Sequence, residues 1–172
     1  MAEKLAKSLI GMMGGLLSLS FGKELIVFII SMLPILELRG GLIAASLLKL
    51  PPLESYIIAI VGNVIPVPFI LLLINKILRA MEKSRFKLFN GIHSFLHKKI
   101  MKNKDSIEKY GFWGLVIFVG IPLPGTGAWT GAIIAAFLEM DRKKAFLAIC
   151  LGMLMASIIM MIISFGVISN VV

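Results

Sequence analysis

The sequence is short of nearly everything that covalent chemistry requires. It has one cysteine, Cys150, so no internal disulfide can form. Its two histidines, His93 and His97, stand four apart in one basic stretch with no acidic or cysteine partner close by. That spacing suits a metal on paper, but an exposed helix facing lipid headgroups is the better reading. No Ser–His–Asp set, no HExxH and no paired carboxylates other than exposed ones are present, and no Walker-type lysine follows the glycines of PLPGTGAWTG. An enzyme is therefore not expected, nor a metal or other cofactor. The N-terminal stretch has charges at Glu3, Lys4 and Lys7 but no convincing cleavage site, so no cleavable signal peptide is expected. Acidic residues are scarce too: nine against eighteen Lys and Arg, a formal net charge of +9.

What fills the chain instead is hydrocarbon. Of 172 residues 59% are hydrophobic, and mean hydropathy is +0.99, more apolar than soluble domains of this size. An all-α integral membrane protein with one membrane domain follows. The excess positive charge is concentrated: from Lys76 to Lys109 ten Lys/Arg face three acids, Glu82, Asp105 and Glu108. In so apolar a chain this predicts a cytoplasmic segment lying on anionic lipid headgroups, not a nucleic-acid surface. Apolar residues recur there at helical spacing, as in an interfacial amphipathic helix with a break at Asn90-Gly91.

Two stretches read as spanning helices, about 55–78 and 145–168, the first kinked by Pro66 and Pro68. Two others are interrupted. Residues 24–48 are broken by Pro34 and the charged ELRGG, and 111–138 by PLPGTGAWTG. Shifting the sequence by ninety residues aligns Pro34 with Pro124, Gly41 with Gly131, Ile43 with Ile133, Ala45 with Ala135, Leu48 with Leu138 and Gly62 with Gly152. The order of parts also matches: apolar arm, Pro/Gly break, small-residue arm, charged loop, spanning helix. An internal duplication is the reading. If each broken stretch is a re-entrant hairpin, each half crosses the membrane once and the halves are inverted, with the broken tips facing one another. The alternative is four plain spanning helices. The positive-inside rule favours re-entry, because it puts EMDRKK (Glu139 to Lys144) on the same side as the basic segment. The resulting plan is an amphipathic N-terminal helix (1–23), repeat 1 (24–78), a basic cytoplasmic amphipathic segment (79–110) and repeat 2 (111–172).

Glu37 and Arg39 are the only charges between Glu24 and Lys49. A charge at mid-membrane costs roughly 2.5–3.5 kcal/mol on insertion scales, so such residues face a cavity or pair. Glu37 is a candidate proton or cation carrier, and Arg39, with Gly40 and Gly41 behind it, a candidate for an anionic headgroup. An ion pair that locks the tip is the structural alternative. In the second break, shaped by Pro122 and Pro124, the N–H groups of Gly125, Thr126 and Gly127, and of the arm starting near Thr130, can reach an anion such as a phosphate. Thr130 adds a hydroxyl, and Trp129, the repeat counterpart of Arg39, walls the cavity. Tight packing of two tips needs the same small residues. Asn63 lines the same cavity or caps a carbonyl freed by the kink.

With ELRGG and PLPGTGAWTGAIIAA both in view, the chain resembles the prokaryotic small multidrug export protein family, over roughly residues 24–172. That family is distantly similar to the DedA/VTT superfamily. The resemblance implies two facing re-entrant hairpins and lipid movement across membranes, carrier phospholipids such as undecaprenyl phosphate included, with proton coupling. By position it carries over to Glu37, Arg39 and Gly40 at one tip and Pro122, Pro124, Gly125, Thr126, Gly127 and Trp129 at the other. The arginines of the DedA pattern are not matched, since Arg142 lies beyond the second hairpin. The combined expectation is a small secondary transporter or lipid translocase of the cell membrane that moves an amphipathic, anionic substrate with proton or cation coupling, contacts lipids and works as a homodimer. A non-transporting scaffold is the alternative.

Overall fold

A computed structural model of the chain describes residues 2–82, 110–123 and 125–167. Among the described residues helices joined by short turns make up the structure and no strand occurs. The elements are α1 (Ala2–Met12), a 3-10 turn (Gly14–Ser18), α2 (Gly22–Met32), α3 (Glu37–Leu47), α4 (Pro52–Val64), α5 (Pro66–Glu82), α6 (Tyr110–Gly120), α7 (Ala128–Phe137) and α8 (Arg142–Met161). A π-helical turn, Ile162–Val167, extends α8. The basic segment lies outside the described residues from 83 to 109, and with it His93, His97 and the Asn90-Gly91 break.

Where the prolines predict a kink, the structure has a single non-helical residue, Ile65, between α4 and α5. Pro66 and Pro68 fall in the first turn of α5, where backbone N–H groups have no intrahelical partner to lose. Only Ile65 departs from helix, and its N–H still donates to the Val61 carbonyl at 3.2 Å. Helices α4 and α5 therefore act as one rod, Pro52–Ile74, of 23 residues with an 18-residue window of mean hydropathy 2.7. The second rod is Arg142–Gly166, 25 residues with an 18-residue window of the same mean hydropathy. It starts where Asp141 accepts from the Lys144 N–H at 3.0 Å, an N-cap. Each rod exceeds the ~20 residues needed to cross a bilayer core. Both keep an apolar stripe uncovered: Leu53, Ile57, Val61, Ile65, Phe69 and Leu72 on one, Leu147, Leu151, Leu154, Ile158 and Ile162 on the other. Helix-length stripes of this kind call for lipid as the solvent.

Two cores hold the molecule. The first gathers α1, α2, α3, Ala59 of α4 and Ala156 and Met160 late in α8. The second gathers Val67, Ile70 and Leu71 of α5, α6, α7 and the early residues Ala145, Ala148 and Ile149 of α8. One rod thus runs from the first core to the second, and the other from the second to the first. They cross where Asn63 Nδ2 donates to Met153 Sδ at 3.3 Å, a pair ninety residues apart.

The ninety-residue register also appears in the backbone. After α3, Leu48, Lys49 and Leu50 donate to Ala44, Ser46 and Ala45; after α7, Leu138, Glu139 and Met140 donate to Ile134, Ala136 and Ala135. Lys49 (φ 56) and Glu139 (φ 53) both take the left-handed conformation that ends a helix in a Schellman motif. Close helix contacts repeat as well. A Cβ on Gly62 would stand 2.8 Å from the Phe28 carbonyl oxygen and 3.0 Å from Ser31 Cβ; one on Gly152 would stand 2.7 Å from the Val116 carbonyl oxygen and from Val119 Cβ. Gly41 and Gly131 pack on those same two residues, Ser31 and Val119. Glycine is thus required where α2 and α6 touch their partners.

The breaks are shorter than the sequence suggests. The first covers only residues 33–36, so ELRGG forms the first turns of α3. The second ends at Gly127, so Trp129, Thr130 and Gly131 are helical. Propensity marks these glycines as breakers, but close packing makes them helical.

Candidate functional site

The turns at the two breaks meet. Glu37 opens α3 with φ 51, a left-handed conformation that costs a non-glycine residue about 1–2 kcal/mol. Its side chain is buried. Oε2 accepts from the Ala128 N–H at 3.1 Å and Oε1 from the Trp129 N–H at 3.0 Å. These are the first two N–H groups of α7, which has no side-chain cap of its own. The carboxylate of one tip thus caps the helix that leaves the other, where orphan donors and the positive end of the helix dipole favour a negative charge.

Gly127 makes this approach possible. With φ 153 and ψ −174 it occupies a region open essentially to glycine alone. A Cβ there would also collide with the Glu37 carboxylate. In the ninety-residue register Gly127 is the counterpart of Glu37, so equivalent positions of the two halves face one another.

Arg39 and Trp129, the next equivalent pair, cross over in opposite senses. The Arg39 guanidinium donates to the carbonyls of Leu123 and Ile121, the latter at 3.1 Å, and to Thr126 Oγ1 at 3.2 Å. The Trp129 indole donates to the Met32 carbonyl at 3.2 Å. Each therefore supplies a donor to carbonyls left over at the C-terminal end of the other half's first arm, Met32 of α2 or the residues after α6. Thr126 Oγ1 also bonds the carbonyls of Ile121 (2.7 Å) and Leu123 (2.9 Å), which closes the second turn. Gly125 (φ 86) lies in that turn, between Leu123 and the Thr126 N–H that donates back to it at 3.2 Å.

Of the residues singled out in the sequence, Glu37, Arg39, Thr126, Gly127 and Trp129 converge here, with Gly125 and Pro122 shaping the turn between the bonded carbonyls. Pro124 lies outside the described residues. Gly40 and Gly41 do not face the tip junction. They sit inside α3 against Leu36 and Ser31, and serve packing. Thr130 is half-buried in the first turn of α7. Asn63 belongs to the rod crossing, where its Oδ1 is buried with no hydrogen-bond partner. The N–H groups that hold a carboxylate are those of Ala128 and Trp129, just beyond the Gly125–Gly127 stretch expected to bind an anion, and the group they hold is Glu37 of the same chain. The tips accordingly meet in direct contact and not across an open cavity. Sequence reasoning missed the partners Ala128, Met32, Ile121 and Leu123 because they act through the main chain. The one available signal was the register that sets position 37 opposite 127. Among the described residues no three His, Cys, Asp or Glu converge as a metal site.

A family model described as "Putative small multi-drug export protein" matches residues 37–159, which begin at Glu37, just after the first break, and include the second. No curated protein and no solved structure matches the chain.

Proposed function

The chain belongs to this family of small exporters, and from that membership and the tip geometry we propose that it is a membrane transporter or lipid translocase for an amphipathic anion, driven by protons. The observation that carries the proposal is the Glu37 carboxylate seated on the Ala128 and Trp129 N–H groups with the Arg39 guanidinium on the same tip. Those donors form an anion site filled from within. Protonation of Glu37 would remove its charge and turn one of its acceptor oxygens into a donor, which frees one N–H group and weakens the bond to the other. A phosphate or similar headgroup would then take its place, with Arg39 as second partner. Loss of the proton would return the carboxylate and expel the headgroup. No covalent bond changes, so the protein acts as a carrier and not as an enzyme.

In this reading the breaks are re-entrant hairpins, the halves form an inverted repeat, and the likeness to the DedA/VTT superfamily extends to mechanism. Two features support it. Arms of ten or eleven residues reach only ~16 Å at ~1.5 Å per residue, about half a bilayer core. The two rods also run in opposite senses between the cores. The basic segment then rests on the cytoplasmic face of the cell membrane, and a second copy of the chain encloses the path.

The test is flux in proteoliposomes carrying a headgroup-labelled phospholipid or a polyprenyl phosphate. A pH gradient should drive movement in the wild type, and Glu37→Gln and Arg39→Gln should each abolish it. A folded wild-type protein that moves neither lipid under either gradient would instead support the scaffold reading.

A further inference from the structure

Arg39 fills a site of its own on the opposite tip. Three oxygens converge just after α6: the carbonyls of Ile121 and Leu123 and the hydroxyl of Thr126, whose Oγ1 stands 2.7 Å from the first and 2.9 Å from the second. The Arg39 guanidinium covers all three, with Nη1 on Leu123 and Nη2 on Ile121 and Thr126. Carbonyls at the C-terminal end of a helix favour a cation. The junction therefore holds two charge sites of opposite sign, each filled from within. Glu37 sits on N–H donors, and Arg39 sits on oxygen acceptors.

In the transport reading above, on which this inference rests, Glu37 gives way to a phosphate and Arg39 turns to it. Both terminal nitrogens of Arg39 are committed to the three oxygens, so a two-pronged hold on a phosphate draws the guanidinium off them. Three acceptors are then bare, which is costly away from water. A headgroup that brings its own cation avoids that cost. A primary ammonium has three N–H donors, one for each oxygen, whereas a quaternary ammonium has none. Thr126 and Ala128 are two residues apart, so the oxygens and the N–H groups lie within about 7 Å along the chain. A phosphate and an amine joined through two carbons can touch both. The side chains of Ile121 and Leu123 are exposed beside the cluster and offer apolar contact to acyl tails. We propose that the tip junction selects phospholipids whose phosphate carries a primary amine on a two-carbon arm, and that Thr126 reads the ammonium. The phosphate remains the anion of the transport reading, and the ammonium beside it is the addition.

The experiment is pH-gradient-driven flux in proteoliposomes of phosphatidylglycerol and phosphatidylcholine that contain the full chain and a trace of one tail-labelled phospholipid with its headgroup intact. Phosphatidylethanolamine should move roughly tenfold faster, or more, than phosphatidylcholine or phosphatidylglycerol. Its N-methyl and N,N-dimethyl derivatives lose N–H donors in turn and should fall between, in that order. Thr126→Val should bring the ethanolamine-to-choline ratio close to one, whereas Thr126→Ser keeps the hydroxyl and should keep the ratio. The methylation series uses the wild type alone, so it decides the matter even where Thr126→Val fails to fold. Free phosphoethanolamine in excess should leave the movement unchanged; competition would make the soluble aminophosphate the ligand and overturn the lipid assignment. Equal movement of all headgroups, or a wild-type ratio in folded Thr126→Val, would overturn the ammonium site and leave the transport reading standing. Movement of none would overturn both.

Discussion

Replacing Glu37 by Gln tests the tip clasp with almost no change of shape. The wild-type carboxylate accepts two backbone N–H bonds, at 3.0 and 3.1 Å, in a buried place. Glutamine keeps one acceptor oxygen but turns an NH₂ toward the other N–H, so one bond becomes a donor–donor contact. A hydrogen bond to a charged group contributes about 1.5–3 kcal/mol net, and a charge at a helix N-terminus about 0.3–1 kcal/mol more. The expected loss is about 2–4 kcal/mol, and for a chain of this size it lowers the melting temperature by roughly 5–10 °C. Thermal unfolding of purified protein in one detergent, followed by circular dichroism, measures it. Glu37→Ala should lose more, since both N–H groups are then orphaned in a dry place. The reasoning has a definite point of failure. A Glu37 that stays protonated in the folded protein would be copied by Gln, and the melting temperature would stay within a degree of wild type. That result would refute the carboxylate cap and with it the proton step.

Other consequences can be checked in the same assay. Gly127→Ala puts a Cβ into the Glu37 carboxylate and a side chain at φ 153, and should cost more than about 3 kcal/mol, beginning with backbone strain of about 1–3; a mild loss would mean the turn rearranges freely. Lys49→Gly and Glu139→Gly relieve left-handed strain at two matching helix ends, and each should raise stability by about 0.5–1 kcal/mol; opposite signs at the two sites would contradict their equivalence. Asn63→Leu removes an amide whose Oδ1 has no partner, and should leave the melting temperature unchanged or higher; a fall of several degrees would show that the carbonyl is satisfied by bound water.

The ninety-residue register is legible because it rests on composition: a spacing of Pro, Gly and small residues recurs in Gly41/Gly131 and Gly62/Gly152, which make matching close contacts. Prolines 66 and 68 announce an interruption for local reasons, and the structure confines it to Ile65. The limits of the breaks are not legible. Gly40, Gly41 and Gly131 look like breakers one residue at a time, yet their lack of a side chain admits a neighbouring helix, a tertiary fact. The importance of Glu37 and Arg39 is readable from the cost of charge among apolar residues. Their partners are not, because four of the groups they meet are backbone atoms nearly ninety residues away in sequence. Three-dimensional proximity alone turns an expected cavity into a closed clasp.

The most direct test of the re-entrant arrangement is cysteine accessibility from each side of sealed vesicles, in a Cys150→Ser background, at Lys23, Lys49, Tyr110 and Glu139. All four positions are exposed. The account predicts that 23 and 49 react from one face and 110 and 139 from the opposite, cytoplasmic one. Labelling of 23 and 49 from different faces would make the first hairpin a pair of full crossings and contradict the account.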